Sequence, residues 1–139
     1  MKAVWLTEFG GPEMLVAADA PDPVPGPGQA LIEVAFANIT FVETMFRASG
    51  FGPFEKGLPM IPGNGVGGWV ASVGVEADER LIGKRVVAST GGSGGYAERA
   101  AAAGRLRPVI GQRFPLERAA DAHAAIESRA TVGKTLLVT

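Results

Sequence analysis

The sequence predicts a mainly β fold, a barrel or sandwich of many short strands with two or three short helices. Three observations carry that reading. Glycine and proline are abundant, 20 and 10 among 139 residues, yet 47% of the chain is hydrophobic. They stand between the apolar runs, as turns between strands do, instead of diluting them as in a disordered chain. The runs themselves are short, and no regular alternation of strand with long helix marks a doubly wound parallel sheet.

The elements follow in order. Residues 2–8 and 13–18 read as strands around the turn Phe9-Gly10-Gly11-Pro12. Pro21 to Gly28, with four prolines, forms a stiff loop that cannot join a ladder. Residues 30–37 are the strongest strand, and residues 41–48 suit a short helix capped by Thr40, with Glu43 completing a capping box. A loop rich in glycine and proline leads to a glycine run at 63–68, followed by strands at 68–74, 84–89 and 95–100. Residues 106–110 add a further strand, and a helix opens at Pro115 and runs to about Glu127. Residues 134–138 close the chain as a strand. The run Ala100 to Ala103 joins this strand-rich part to a C-terminal part beginning at Gly104.

Composition excludes several functions. The 13 basic and 14 acidic residues leave a formal net charge of -1 with no basic stripe, so nucleic acid is not an expected partner. There is no cysteine and a single histidine, His123, so thiolate zinc and multi-histidine metal sites are excluded and no metal is expected. No apolar run reaches the roughly 20 residues of a membrane span, and Met1 enters a strand pattern without a signal-peptide architecture. A cytoplasmic protein is expected, which makes the sequon Asn38-Ile39-Thr40 incidental.

Gly63-Asn64-Gly65-Val66-Gly67-Gly68 matches the GxGxxG dinucleotide fingerprint in form. That fingerprint works between a strand and a helix. Here Pro62 precedes it and the strand-like Trp69 to Val73 follows, so the run reads as a turn. Gly133-Lys134-Thr135 fails as a phosphate loop because Ser128 stands where its first glycine belongs. His123 lies between alanines with no acidic neighbour at catalytic spacing and reads as structural or solvated.

A set of segments in order carries a resemblance. Met1 to Val4 with Phe9 to Glu13, Pro25 to Gly28, Asn38 to Thr44, Pro62 to Gly65, Ile82 to Val87 and Gly94 to Glu98 resemble zinc-independent quinone oxidoreductases of the medium-chain dehydrogenase/reductase superfamily. Gly104 to Gly111, Phe114 to Leu116 and Gly133-Lys134 are similar to that family's C-terminus. The resemblance implies a GroES-like, partly open β-barrel spanning residues 1–139, with residues 1–100 and 104–139 meeting near 100–104 where relatives insert a Rossmann domain. It implies a substrate-side domain without its cofactor domain. The parent would use NADPH or NADH on a quinone-like acceptor, while this chain alone would bind neither nucleotide and be inactive. Alternatives are a half-enzyme acting in trans and a non-enzymatic GroES-like interaction module. A homodimer through the surface uncovered by the missing domain is expected.

The resemblance also assigns residues. Asn38 and Thr40 match the loop beside the nicotinamide and would act in catalysis and cofactor binding; from the residues alone a turn amide and a helix cap are the favoured reading, and the resemblance implies a double role. Met45 stands where many relatives carry a cofactor-contacting tyrosine; core packing is its plainer reading, as for Phe46. Asn64 replaces the zinc-binding histidine of related enzymes and would face the acceptor, or it is simple turn chemistry. Phe51, Phe54 and Met60 would line an apolar acceptor pocket, or belong to a loop folded onto the barrel.

Overall fold

A computed structural model describes residues 1–52, 54, 57–103, 110–128 and 134–139. Among these, the strands are β1 (Lys2–Leu6), β2 (Leu15–Asp19), β3 (Ala30–Ile39), β4 (Gly65–Val73), β5 (Arg85–Ser89), β6 (Arg99–Ala102), β7 (Ile110–Pro115) and β8 (Lys134–Val138). Helix α1 spans Phe41–Ser49 and α2 spans Ala119–Glu127. The mainly β, partly open barrel is therefore what the chain forms, with no Rossmann unit among the described residues.

Strand β3 organises the molecule. Its pattern of buried Ala30, Ile32 and Val34, then Ala37 and Ile39, changes phase at a register shift between Val34 and Phe36. One edge pairs with β4 along nearly its whole length. The other edge is shared: β6 takes Ala30 to Glu33, and β8 takes Phe36 to Ile39. The sheet runs β5-β4-β3-β8-β7, with β7 parallel to β8. The hairpin β1-β2 closes the barrel through the Ala3–Ala97 and Leu6–Met60 bridges. One core, holding Val4, Leu6, Ile32, Val34, Phe46 and Leu137 among others, fills the interior.

Several expected boundaries move. Gly65 to Gly68 are not a turn but the first half of β4. A Cβ on Gly65 would stand 1.6 Å from Asn38 Oδ1, and one on Gly68 would stand 1.9 Å from the Glu33 carbonyl oxygen, so glycine is needed for close strand packing. Residues 12–14 form a 3₁₀ turn before β2, and β6 begins at Arg99, later than the strand expected at 95–100. The strand expected at 106–110 falls on residues outside the described ones, except Ile110, which opens β7. Pro115 ends β7 instead of starting a helix; a 3₁₀ turn, Leu116–Arg118, precedes α2. Proline is tolerated there because it terminates an edge strand.

Candidate active site

Helix α1 begins where β3 leaves the sheet. Thr40 is extended and forms the capping box with Glu43, whose Oε2 accepts the Thr40 N–H at 2.5 Å. Glu43 is 3% exposed, and its other oxygen accepts the Asn64 N–H at 2.8 Å. A single buried carboxylate thus binds the helix start to the loop entering β4. This loop needs Gly63, whose φ is 100° and whose Cβ would lie 2.4 Å from the Tyr96 ring.

The other side of the loop is tied to the end of β5. The Thr90 hydroxyl donates to the Gly63 carbonyl at 2.7 Å, the Thr90 N–H to the Asn64 carbonyl at 2.8 Å, and the Ser89 hydroxyl to Asn64 Oδ1 at 2.7 Å. Asn38 stands opposite Gly65, and Gly65 opposite Ser89, so the three form one row across β3, β4 and β5. Asn38, Thr40 and Asn64 therefore gather at one end of the sheet. Asn64 is exposed, and Asn38 and Thr40 are half-buried.

The residues named for an acceptor pocket are dispersed. Met60 is core, 9% exposed, with its backbone paired to Leu6. Phe54 is half-buried and stacks edge-on against Phe46 at 5.1 Å. Phe51 is 70% exposed. Among the described residues, Met60 is buried in the core while Phe51 is exposed to solvent, so the three do not share one environment. Phe46 packs in the core as expected, whereas Met45 is 37% exposed and joins Phe41 and Val42 on the outer face of α1.

A second buried group went unread in the sequence. Arg47, at the end of α1, donates Nε to His123 Nδ1 at 3.3 Å and also hydrogen-bonds the Gly10 carbonyl and the Glu127 carboxylate. A guanidinium only donates, so Nδ1 accepts and the imidazole proton sits on Nε2, which donates to the Tyr96 hydroxyl at 3.0 Å. His123 and Tyr96 are both 0% exposed. Burial, aided by the Arg47 charge, pushes the His123 pKa down to about 3. Burial, then the Glu43 charge, pushes the Tyr96 phenol up. His123 is structural and not solvated, and it is too enclosed to touch a substrate.

Among the described residues, no group of three or more His, Cys, Asp or Glu side chains is placed to hold a metal ion. Among the described residues, neither the glycine run nor the start of α1 fits a dinucleotide. The glycine run is locked in β4 against Asn38 and the Glu33 carbonyl, and the N-terminus of α1 is already filled by the Glu43 carboxylate. Nothing in either place is left to cradle a pyrophosphate. No helix among the described residues is long and apolar enough to cross a membrane.

The chain matches two family profiles, the alcohol dehydrogenase GroES-like domain over residues 26–109 and the zinc-binding dehydrogenase over residues 97–137. It is 43% identical to the quinone oxidoreductase of Homo sapiens over 104 residues, 74% of this chain and 31% of that protein. The quinone oxidoreductase of Pseudomonas aeruginosa is 34% identical over 97 residues, covering 70% of this chain and 29% of that protein. The chain thus spans about 31% of the length of the curated relatives it matches. Among solved structures, a mycobacterial protein complexed with NADPH superposes with a TM-score of 0.65 at 36% identity, over 73% of this chain and 31% of that one. A mycobacterial quinone oxidoreductase superposes over the full length of both chains with a TM-score of 0.84; at 15% identity this shows the fold alone.

Proposed function

The chain belongs to the alcohol dehydrogenase GroES-like domain family, among the quinone oxidoreductases of the medium-chain dehydrogenase/reductase superfamily, and from that premise we propose that it is their substrate-side domain. One observation carries the proposal: Asn38, Thr40 and Asn64 lie at one end of the sheet, Thr40 and Asn64 bound by the buried Glu43 carboxylate and Asn38 packed over Gly65. In this role the Asn38 amide and Thr40 hydroxyl hydrogen-bond carbonyl oxygens of a quinone-like acceptor or of a nicotinamide, and Asn64 faces the acceptor. The cofactor of the parent enzyme, NADPH or NADH, supplies the hydride. Zinc plays no part, since Asn64 stands where zinc-dependent relatives carry a histidine.

The nucleotide-binding domain belongs between β6 and β7, where the two matched profiles overlap at residues 97–109. Because the dinucleotide's phosphates find no cradle among the described residues, the chain alone is inactive in this reading: the binding energy that would orient a hydride donor is missing. A steady-state assay of the chain with NADPH and 1,4-naphthoquinone tests this. Turnover clearly above buffer overturns it.

The exposed face of α1, with Phe41 at 50%, Val42 at 44% and Met45 at 37%, supports a second reading in which this surface pairs with another copy. Light scattering should then report a dimer, and Phe41→Asp a monomer. A wild-type monomer at high concentration refutes the pairing.

A further inference from the structure

The outer face of the sheet carries a feature that the proposed chemistry does not use. Phe36 on β3, Gly67 on β4 and Val87 on β5 lie in one row, and Trp69 and Arg85 lie in the next. Gly67 has no side chain, so a gap opens between the Phe36 ring and Val87. The gap is the floor of a groove of about 310 Å³, walled by Phe36, Trp69, Arg85 and Val87. That volume lies at the small end of ligand sites, enough for one or two fused rings.

Each aromatic ring is partnered by a cation. The Arg85 guanidinium carbon sits 5.5 Å from the Trp69 ring centre, and that of Arg113 sits 5.3 Å from the Phe36 ring centre. A cation over a ring is attracted by the ring's negative face, a contact that uses none of its N–H donors. Among the described residues, neither guanidinium has a carboxylate within salt-bridge distance. Glu33 faces Trp69 from the strand on the other side, away from Arg85. The groove is thus apolar in its body and cationic at the Arg85 end, while beyond Trp69 Glu33 stands opposite Arg99 of β6.

We propose that this groove is a small-molecule site for a planar aromatic carboxylate. The ring lies on Gly67 between Phe36 and Trp69, and the carboxylate pairs with the Arg85 fork. Arg113, over Phe36, adds positive potential. The row Asn38–Gly65–Ser89 is two residues further along the same face, about 7 Å away, so the site adjoins the candidate active site. It needs no nucleotide, and direct binding reads it whether or not the quinone chemistry holds.

The test uses the chain with Trp5→Phe, so that Trp69 is the remaining indole. 2-Naphthoate should quench its fluorescence saturably, and 2-naphthylmethanol, which lacks the charge, should bind at least tenfold more weakly. Arg85→Gln should lower naphthoate affinity roughly tenfold and leave the alcohol unchanged. Gly67→Ala fills the floor, yet its methyl would meet Val87 at 3.5 Å and the Val86 carbonyl oxygen at 3.6 Å, which is ordinary contact. That variant should fold, as judged by circular dichroism and melting, and bind both ligands several-fold more weakly. No saturation below about 10 mM, equal affinity for acid and alcohol, or unchanged binding in a folded Arg85→Gln variant would each overturn the site.

Discussion

Replacing Arg47 tests how the C-terminal segment is held to the barrel. The Arg47 side chain is 2% exposed and spans from α1 to the Gly10 carbonyl, His123 and Glu127. Arg47→Met keeps most of the stem volume and removes every donor. Glu127 is 33% exposed and can rehydrate, so its share is below about 1 kcal/mol. His123 Nδ1 cannot: it is enclosed, and leaving it unpaired costs about 1–3 kcal/mol. The Gly10 carbonyl and the lost packing add about 1–2 kcal/mol. The expected loss is about 3 to 5 kcal/mol, a large part of the roughly 5–15 kcal/mol a domain has. With a urea slope near 2 kcal/mol/M, the midpoint followed by tryptophan fluorescence should fall by about 1.5–2.5 M. The double variant Arg47→Met/His123→Leu should recover much of this, because no buried acceptor is then left unpaired. A midpoint for Arg47→Met within 0.5 M of wild type (about 1 kcal/mol) would show that the network does not hold the segment.

Two other predictions rest on single residues. His123 titrates at about 3 when folded and near 6.5 when unfolded, so between these values the unfolded chain binds the extra proton. Its contribution is intact above pH 6.5 and is lost as pH falls toward 3, by up to about 1.4 kcal/mol per pH unit. Urea midpoints at pH 7, 5.5 and 4 should therefore fall more steeply for wild type than for His123→Gln; parallel curves would contradict the buried neutral imidazole. Gly65→Ala places a methyl on Asn38 Oδ1. It should rotate the Asn38 amide, shifting its side-chain NH₂ resonances, and lower stability by about 1–3 kcal/mol. Unmoved resonances would mean that Asn38 does not pack over Gly65.

Much of the fold was legible because its signals are local. The alternation of β3 and the capping box at Thr40 and Glu43 both follow from spacing within one segment. The start of β4 was not legible for the opposite reason. Four glycines in six residues look like a turn, and only the approach of Asn38 and Glu33 from a neighbouring strand shows why side chains are excluded there. β7 was hidden by Gly111 and Pro115, residues that weaken a strand pattern and that an edge strand tolerates at its end.

The candidate site divides along the same line. Asn38, Thr40 and Asn64 are found by resemblance, but what joins the last two is a carboxylate that accepts from Thr40 and Asn64, 3 and 21 residues away. The first spacing is helical and can be read from sequence; the second is a tertiary fact. The same holds for Arg47 and His123, separated by 76 residues. A lone histidine among alanines carries no sequence signal of burial, and an arginine late in an amphipathic helix reads as a solvated cation completing the helix dipole. Burying both is favourable only because each satisfies the other while Tyr96 and Glu127 complete the chain. Such a group forms only when α1 and α2 are docked, so its presence ties the C-terminal segment to the element that carries Thr40 and Glu43. Disturbing α2 should therefore be felt at Thr40 and Glu43, at the other end of α1.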